Sequence, residues 1–389
     1  MVKRVSILGV TGSIGMNTVA MLKHLGGREA FQTVAVTGGA NIAELAVCAR
    51  DLGAEIAVTA YEDRLEDLQA ALAGSGVIAA AGEQALLDAA SRPADWVMAA
   101  IVGVAGLAPT LAAAQAGATV ALANKECLVS AGSLFLEATK KAGVPVIPVD
   151  SEHSAIFQCL DANAGRHPSK FILTASGGPF RSWTRAEMAD VTAERARQHP
   201  NFSMGLKISI DSATMFNKAL EMIEARWLFG ATSETLDVVV HRQSIIHSAV
   251  AYSDGAMIAQ LGLPDMRTAI GYALTYPERA DLPVETLDLT QISRLDFEPP
   301  DEARFPSITM ARAAMDQSEL AGAALNAAKE AALVAFIEGH IKFLHMFDVV
   351  AEVVERLTPY APARDLRDVF EIDRTARHLA AERITKLTA

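Results

Sequence analysis

The sequence has few cysteines and no excess of positive charge, and both absences narrow what the protein can be. Its three cysteines, Cys48, Cys127 and Cys159, are odd in number and far apart. We therefore expect neither a disulfide framework nor a cysteine-ligated zinc site, and a reducing cytoplasm fits. The formal net charge is −12 at pH 7. So acidic a chain is poorly suited to nucleic acid or to an anionic membrane surface, both of which select basic proteins.

Long uninterrupted apolar runs are also missing. Residues 96–124 carry no charged side chain, but glycines, a proline and a glutamine interrupt the stretch at loop-like intervals. We expect two buried strands and a helix here rather than a membrane span, because strands of a parallel sheet are apolar on both faces. The apolar run that precedes Thr11 is too short for the core of a signal peptide. No membrane partner is expected.

What is present is a change of pattern along the 389 residues, a length that suits two or three domains. Residues 1–150 alternate short apolar strands with helical segments, which predicts an α/β, doubly wound, Rossmann-like domain. Residues 151–276 mix helices and strands and predict an α+β domain. Residues 277–306 hold five of the 15 prolines and predict a surface linker. Residues 307–389 have helical periodicity and predict a C-terminal helical bundle.

Three glycines follow the first predicted strand, in the order Gly9, Gly12 and Gly15. Such a turn lets the main chain approach a pyrophosphate, which the first N–H groups of the next helix then bind. A purely structural turn is the alternative. The second strand, TVAVTGGAN, ends without an acidic residue. Because nothing there repels a 2′-phosphate, NADP(H) is favoured over NAD(H).

Two carboxylates, Asp150 and Glu152, follow the last strand of this region in VPVIPVDSE. Residues two apart on a strand point the same way, so we expect both side chains to meet at the carboxyl edge of the sheet. A metal site and a solvated turn both fit this pattern.

A long helix is predicted in KISIDSATMFNKALEMIEARWLFG, beginning near Asp211 and Ser212 and ending at Gly230. One polar side of it carries Asn217, Lys218, Glu221 and Glu224. That side is either functional or a solvated face with a Lys–Glu pair.

Two loops carry further polar groups. In ILTASGGPF, Ser176 precedes two glycines, a combination suited to hydrogen bonds with a phosphate or an oxyanion. In RQHPNFSMGLK, His199 lies in a segment that resembles a loop able to close over a ligand.

Together these motifs resemble the 1-deoxy-D-xylulose 5-phosphate reductoisomerase family. The resemblance rests on GVTGSIG (9–15), ANKE (123–126), VDSEHSAIFQCL (149–160), SGGPFR (176–181), HPNFSMG (199–205), KISIDSATMFNKALEMIEARWLF (207–229) and QLGLPDMRT (260–268). It implies an enzyme of the methylerythritol phosphate route to isoprenoids. The enzyme would rearrange this sugar phosphate and reduce the product with NADPH to 2-C-methyl-D-erythritol 4-phosphate. The resemblance also implies a homodimer, assembled through a central domain that is also catalytic, and inhibition by fosmidomycin.

The resemblance assigns roles by position. The cofactor contacts it implies are Thr11, Gly12, Ser13, Ile14, Gly39, Ala40, Asn41, Asn124, Glu126 and Gly205. The substrate contacts are Lys125, Ser151, Glu152, Ser176, His199, Ser212, Asn217, Lys218 and Glu221, among which Lys125, Glu152 and His199 are catalytic. The metal ligands are Asp150, Glu152 and Glu221. Three carboxylates without thiolate or imidazole favour Mg²⁺ or Mn²⁺ over Zn²⁺, and the resemblance also admits Co²⁺.

Three positions depart from the family's common pattern. Ala40 stands where many members have lysine, Phe202 stands where the closing loop usually has tryptophan, and Cys127 stands where serine is usual.

Two other functions remain open at this point. One is a plain NADPH dehydrogenase of the semialdehyde or homoserine type; the semialdehyde class would need a cysteine activated by a nearby histidine. The other is an NADPH-sensing regulator, which would be expected to lack a metal carboxylate or Lys125.

Overall fold

The computed structural model describes residues 2–161, 167–198 and 205–388. Its strands are β1 (Lys3–Leu8), β2 (Phe31–Gly38), β3 (Ile56–Thr59), β4 (Ile78–Ala81), β5 (Trp96–Ala99), β6 (Thr119–Leu122), β7 (Val146–Pro148), β8 (Lys170–Ala175), β9 (Leu236–Val240), β10 (Ile246–Ala251) and β11 (Met257–Leu261). Its helices are α1 (Ser13–His24), α2 (Gly27–Ala30), α3 (Ile42–Leu52), α4 (Leu65–Leu72), α5 (Glu83–Ala90), α6 (Leu107–Gln115), α7 (Glu126–Val129), α8 (Gly132–Ala142), α9 (Ser151–Asp161), α10 (Arg185–Met188), α11 (Ala193–Ala196), α12 (Leu206–Ala213), α13 (Phe216–Phe229), α14 (Met266–Thr275), α15 (Ser307–Met315), α16 (Glu319–Ile337), α17 (His345–Leu357) and α18 (Leu366–Thr388).

The chain forms two compact units. The first unit contains Met1–Cys127, Phe135–Phe157 and Asp265–Glu285, and the second contains Leu128–Leu134, Gln158–Pro264 and Thr286–Ala389. The boundaries of these units differ from those of the four segments predicted from the sequence. The four-segment division into domains stays a prediction.

The first unit is built on a seven-stranded sheet in the order β4-β3-β2-β1-β5-β6-β7, and each neighbouring pair is parallel. The predicted doubly wound α/β fold is confirmed. Strand β4 was not predicted, because its sequence IAAA has one β-branched residue and weak strand propensity. The apolar stretch 96–124 forms β5, a short helical segment, α6 and β6, as expected.

Helix α14 joins the first unit through long-range contacts that a local pattern does not reveal. The indole N–H of Trp96, which is fully buried, donates to the carbonyl of Ala273 at 2.9 Å. The ammonium of Lys3 donates to the carbonyl of Leu274 at 2.7 Å. These bonds tie residues 265–285 to strands β1 and β5.

The second unit contains a four-stranded sheet in the order β11-β10-β8-β9, in which β8 and β9 are parallel and β10 is antiparallel to both β8 and β11. The predicted mixture of helices and strands in residues 151–276 is confirmed, with β9, β10 and β11 between residues 236 and 261, and so is the predicted C-terminal helical bundle, which consists of α15–α18. Among the described residues, Glu319–Ile337 is the helix long and apolar enough to cross a membrane, and 78% of its most apolar window is buried inside the protein. A core helix satisfies the same criterion.

The prediction of one long helix from Asp211 to Gly230 is wrong at its start. The chain forms α12 and α13, separated at Thr214 and Met215. Met215 has φ +58°, in the left-handed region, and the Thr214 hydroxyl donates to the carbonyls of Ile210 and Asp211 at 2.9 and 3.2 Å. A side chain that bonds the preceding turn in this way competes with helix continuation. The predicted end is correct, since Gly230 caps α13 with φ +71°.

Candidate active site

The turn between β1 and α1 has the geometry of a dinucleotide site. Gly9 has φ +91°, and a Cβ on Gly15 would lie 2.3 Å from the Gly9 carbonyl oxygen and 2.5 Å from the Val10 Cα. The backbone therefore closes on itself so tightly that only glycine fits at position 15. Gly12 precedes the first turn of α1, and no side chain caps that turn. Uncapped N–H groups at a helix start suit a pyrophosphate, and Thr11, Ser13 and Ile14 lie in the same turn.

We expect Gly15→Ala to weaken NADPH binding more than tenfold. The added methyl group overpacks the turn against main-chain atoms, which typically lowers the free energy of unfolding by about 1–3 kcal/mol. NADPH fluorescence titration and thermal unfolding measure the two effects. Gly12→Ala is the control for stability, because the nearest atom to its Cβ would lie at 3.5 Å. A Gly15→Ala variant with wild-type NADPH affinity would contradict the assignment.

The loop after β2 contains the three residues predicted to lie near the 2′-phosphate, Gly39, Ala40 and Asn41. Asn41 caps α3: its Oδ1 accepts from the Glu44 N–H at 3.3 Å, and its Nδ2 donates to the Glu44 carboxylate at 2.8 Å. The amide side chain of Asn41 is thus occupied by the protein itself. The carboxylate of Glu44 lies beside this loop. No lysine or arginine occurs in residues 37–47.

Asn124 holds the loops around the carboxyl ends of β5 and β6. Its Nδ2 donates to the carbonyls of Ile101 and Gly103 at 2.5 and 2.9 Å, and its Oδ1 accepts from the Cys127 N–H at 2.8 Å. The sequence did not indicate this clamp, which fixes the residues on either side of Lys125. The next residue, Glu126, is buried at the start of α7.

Lys125 and Asp150 form an ion pair at the carboxyl edge of the first unit's sheet. The Lys125 Nζ lies 2.5 Å from the Asp150 Oδ2, and both side chains are largely buried. The pair places a positive and a negative charge side by side where little solvent reaches them. The sequence placed both residues in motifs but did not predict their contact.

The expectation that Asp150 and Glu152 share one face of a strand is wrong. Strand β7 ends at Pro148, and Glu152 lies in the first turn of α9. The Asp150 Oδ1 accepts from the N–H groups of Glu152 and His153 at 3.2 and 3.5 Å, so Asp150 caps the helix. The Ser151 hydroxyl donates to the Glu152 carboxylate at 2.5 Å. These three residues are therefore neighbours through a helix cap rather than through strand alternation.

His153 is a residue of this site that the sequence did not assign. It is fully buried, and its Nδ1 lies 3.4 Å from the Asp150 Oδ1. A histidine three residues after a capping carboxylate was the available signal.

In the second unit, the Ser176 turn lies against the end of α12. Gly177 and Gly178 have φ +77° and +67°, and the Ser176 Oγ accepts from the Gly178 N–H at 3.2 Å. A Cβ on Gly178 would lie 2.8 Å from the Ser212 carbonyl oxygen. The structure thus brings together two segments that each carry a predicted phosphate contact, Ser176 and Ser212.

The polar side of α13 is buried, so the alternative of a solvated face is wrong. Glu221 is 0% exposed and Lys218 is 4% exposed, and the two form an ion pair. The Asn217 Nδ2 donates to the other Glu221 oxygen at 2.5 Å. A second buried pair, which the sequence did not predict, joins the Lys329 Nζ to the Asp211 Oδ2 at 3.0 Å. Buried charges of this kind are found when they are paired or bind a ligand.

His199 and Phe202, both predicted to lie in a closing loop, fall outside the described residues. Gly205, another predicted cofactor contact, is exposed at the start of α12. It stays a prediction.

None of the three cysteines has the environment of a catalytic thiol. Burial raises the pKa of Cys159 to about 11, and burial together with Glu44 raises the pKa of Cys48. Cys127 is fully buried. An acyl-accepting cysteine needs the opposite shift, toward the thiolate. The semialdehyde dehydrogenase alternative is therefore not favoured.

Comparisons with known proteins agree over nearly the whole chain. Residues 5–132 match the family model described as 1-deoxy-D-xylulose 5-phosphate reductoisomerase. Residues 146–229 match the model of the C-terminal domain of that enzyme, and residues 261–379 match a model described as the DXP reductoisomerase C-terminal domain. Reductoisomerases of Rhizobium meliloti and Agrobacterium fabrum are 59% and 58% identical, over 98% and 99% of this chain and 98% and 97% of theirs.

Solved structures agree as well. The Zymomonas mobilis reductoisomerase in complex with NADPH is 47% identical, with a TM-score of 0.92 and 98% of both chains covered. A reductoisomerase in complex with NADPH, fosmidomycin and magnesium is 38% identical, with a TM-score of 0.93, and 99% of this chain and 98% of that one are covered. This chain belongs to the 1-deoxy-D-xylulose 5-phosphate reductoisomerase family.

Proposed function

We propose that this chain rearranges 1-deoxy-D-xylulose 5-phosphate and reduces the product to 2-C-methyl-D-erythritol 4-phosphate, with NADPH and a divalent cation. The observation that carries the proposal is the match with reductoisomerases over nearly the full length of both chains. The acidic and basic residues that this activity requires are all present. An NADPH-sensing regulator is disfavoured for the same reason.

The proposed metal ligands are Asp150, Glu152 and Glu221. They supply hard oxygen donors, the ligand type that Mg²⁺ and Mn²⁺ prefer. Lys125 pairs with Asp150 and Lys218 pairs with Glu221, so each lysine lies beside a proposed metal ligand. When bound, the cation would act as a Lewis acid that polarises the substrate ketone.

Lys125 is the proposed group that stabilises oxyanion charge during the rearrangement. Its ammonium is held at the carboxyl edge of the sheet by Asp150, in a largely buried environment where electrostatic stabilisation is strong. Glu152 and His199 remain the other proposed catalytic residues.

The proposed phosphate contacts are Ser176, Ser212, Asn217 and Lys218. Two hydroxyls, an amide and one cation match the acceptor oxygens and the charge of a phosphate. Gly178 allows the Ser176 turn to approach Ser212 closely. Phosphate binding energy would then help to close the segment around His199 over the substrate.

The direct test follows NADPH oxidation with 1-deoxy-D-xylulose 5-phosphate, first with Mg²⁺ or Mn²⁺ and then with EDTA. We expect turnover that EDTA abolishes and that either cation restores. A parallel run with NADH measures how far Ala40 relaxes the preference for NADPH. If protein that binds NADPH shows no turnover with either cation, the proposal fails, and semialdehyde substrates become the next candidates.

A homodimer formed through the second unit is also proposed. Strand β11 is an edge of the four-stranded sheet, and its side chains Met257 and Leu261 are 61% and 37% exposed. An apolar edge strand readily pairs with another strand. A cytoplasmic location is proposed as well, because all three cysteines are free and a reducing compartment keeps them so.

We expect the double substitution Met257→Lys and Leu261→Lys to raise the dimer dissociation constant at least about 100-fold, because like charges facing each other across an interface cost several kcal/mol. Light scattering after size exclusion, over a range of concentrations, gives the dissociation constant. Val47→Lys, at an exposed position on α3, is the control and should leave it unchanged. An unaltered dimer in the double variant would exclude β11 from the interface.

A further inference from the structure

The carboxyl ends of β2 and β3 form a fixed platform beside the dinucleotide turn. The strands are parallel, with Gly38 opposite Thr59. The Ala60 N–H donates to the Gly38 carbonyl at 2.9 Å, and the Thr59 hydroxyl donates to the Gly39 carbonyl at 3.0 Å. The loop at Gly39 is therefore tied to the segment that leads into Tyr61.

Tyr61 presents an exposed aromatic ring at this platform. The side chain is 52% exposed, and its Cε2 lies 3.7 Å from the position of a Cβ on Gly39. The Tyr61 N–H donates to the Thr59 hydroxyl at 3.3 Å. This bond fixes the backbone position from which the Tyr61 side chain extends. An aromatic side chain that is positioned by the backbone but not buried has a free face for a planar ligand.

The order of the strands places Tyr61 along the path of the adenosine half of a dinucleotide. The pyrophosphate belongs at the start of α1, after β1, and the adenosine ribose belongs at the end of β2. Strand β3 follows β2 in the sheet order. A base attached to that ribose would therefore lie over the end of β3, where Tyr61 stands.

The charges at the platform make an aromatic contact more important. Position 40 is alanine, and the Asn41 amide is bound to the Glu44 carboxylate. Residues 37–47 contain no lysine or arginine to attract a 2′-phosphate. Stacking needs no charge and contributes to the binding of any base with a π face.

We propose that Tyr61 binds the adenine of NADPH by stacking its ring on the base, and that it is an affinity determinant of this enzyme. The role rests on the proposed use of NADPH. The contact uses the face of the ring and not the hydroxyl, so it supports NADPH and NADH alike.

The test compares Tyr61→Ala and Tyr61→Phe by equilibrium binding. NADPH and NADH are titrated by fluorescence, and adenosine 2′,5′-bisphosphate is titrated by calorimetry. We expect Tyr61→Ala to weaken all three ligands by a similar factor of about 10, the scale of one base–aromatic stack. Tyr61→Phe should bind all three like the wild type. Thermal unfolding should be unchanged in both variants, because the side chain is exposed.

Ile78→Ala is the matched control. Ile78 is 57% exposed at the start of β4, opposite Ile56 at the start of β3, so it lies at the amino ends of the strands, away from Tyr61. Its loss should leave all three affinities unchanged. Wild-type NADPH affinity in Tyr61→Ala would overturn the proposal. Equal losses in Tyr61→Phe and Tyr61→Ala would also overturn it, because they would assign the contact to the hydroxyl. Failure of the wild type itself to bind NADPH would instead refute the proposed function.

Discussion

Glu221→Gln should lower kcat/KM at least about 10³-fold, because Lewis-acid stabilisation by a metal contributes several kcal/mol to the transition state and about 1.4 kcal/mol corresponds to a factor of 10. Glutamine keeps the shape of the side chain and the hydrogen bond from Asn217. It removes the negative charge that a divalent cation needs. Mn²⁺ binding, measured by electron paramagnetic resonance, should weaken in parallel with kcat/KM.

The same substitution has a second expected effect, on stability. Lys218 is 4% exposed and forms an ion pair with Glu221. Removing one partner of a buried ion pair typically costs about 3–5 kcal/mol. Thermal unfolding should show this loss. Glu221→Asp, which keeps the charge, should recover stability better than it recovers Mn²⁺ binding, because the shorter side chain still carries the charge but not the reach.

Glu224→Gln is the control for the loss of a buried carboxylate. Glu224 lies on the same helix and is 3% exposed, but it is not a proposed ligand. This variant should retain Mn²⁺ affinity even where its stability falls. Fosmidomycin inhibition should weaken sharply in Glu221→Gln and little in Glu224→Gln. If Glu221→Gln keeps wild-type Mn²⁺ affinity, Glu221 is not a metal ligand.

Lys125→Met should lower kcat about 10²- to 10³-fold, the usual cost of removing one donor that stabilises an oxyanion. Methionine fills similar space without charge. Because the substitution removes a cation that lies 2.5 Å from Asp150 and would compete with the metal, Mn²⁺ should bind at least as tightly as in the wild type. A large loss of turnover with unimpaired metal binding separates a catalytic lysine from one that only holds the site together.

Two further variants sharpen this test. Lys125→Arg keeps the charge but replaces a compact ammonium by a planar guanidinium, so we expect partial recovery of kcat. Lys140→Met, on the exposed side of α8, should leave both quantities unchanged. Weaker Mn²⁺ binding in Lys125→Met, with kcat preserved at saturating metal, would contradict the catalytic role.

Local sequence patterns determined the fold class and the residues proposed for the site. Glycines at positions 9, 12 and 15 after an apolar strand predicted the dinucleotide turn, because the atoms that exclude a side chain at Gly15 belong to Gly9 and Val10 in the same motif. The alternation of apolar strands with helices predicted the parallel sheet. Motif resemblance then supplied the proposed roles of Asp150, Glu152 and Glu221.

Tertiary structure decided the features that depend on contacts between distant segments. Sequence periodicity could not decide whether the polar side of α13 faces solvent. In the folded chain Lys218 and Glu221 on that side form a buried ion pair. The side chain of Asp150 begins a helix where strand alternation was expected, and helix α14 joins the first unit through Trp96 and Lys3. The proposed role of Tyr61 depends on the pairing of β2 with β3, which places its exposed ring beside Gly39. Periodicity describes one segment at a time, whereas the environment of a charge or a ring is set by whatever the fold brings against it.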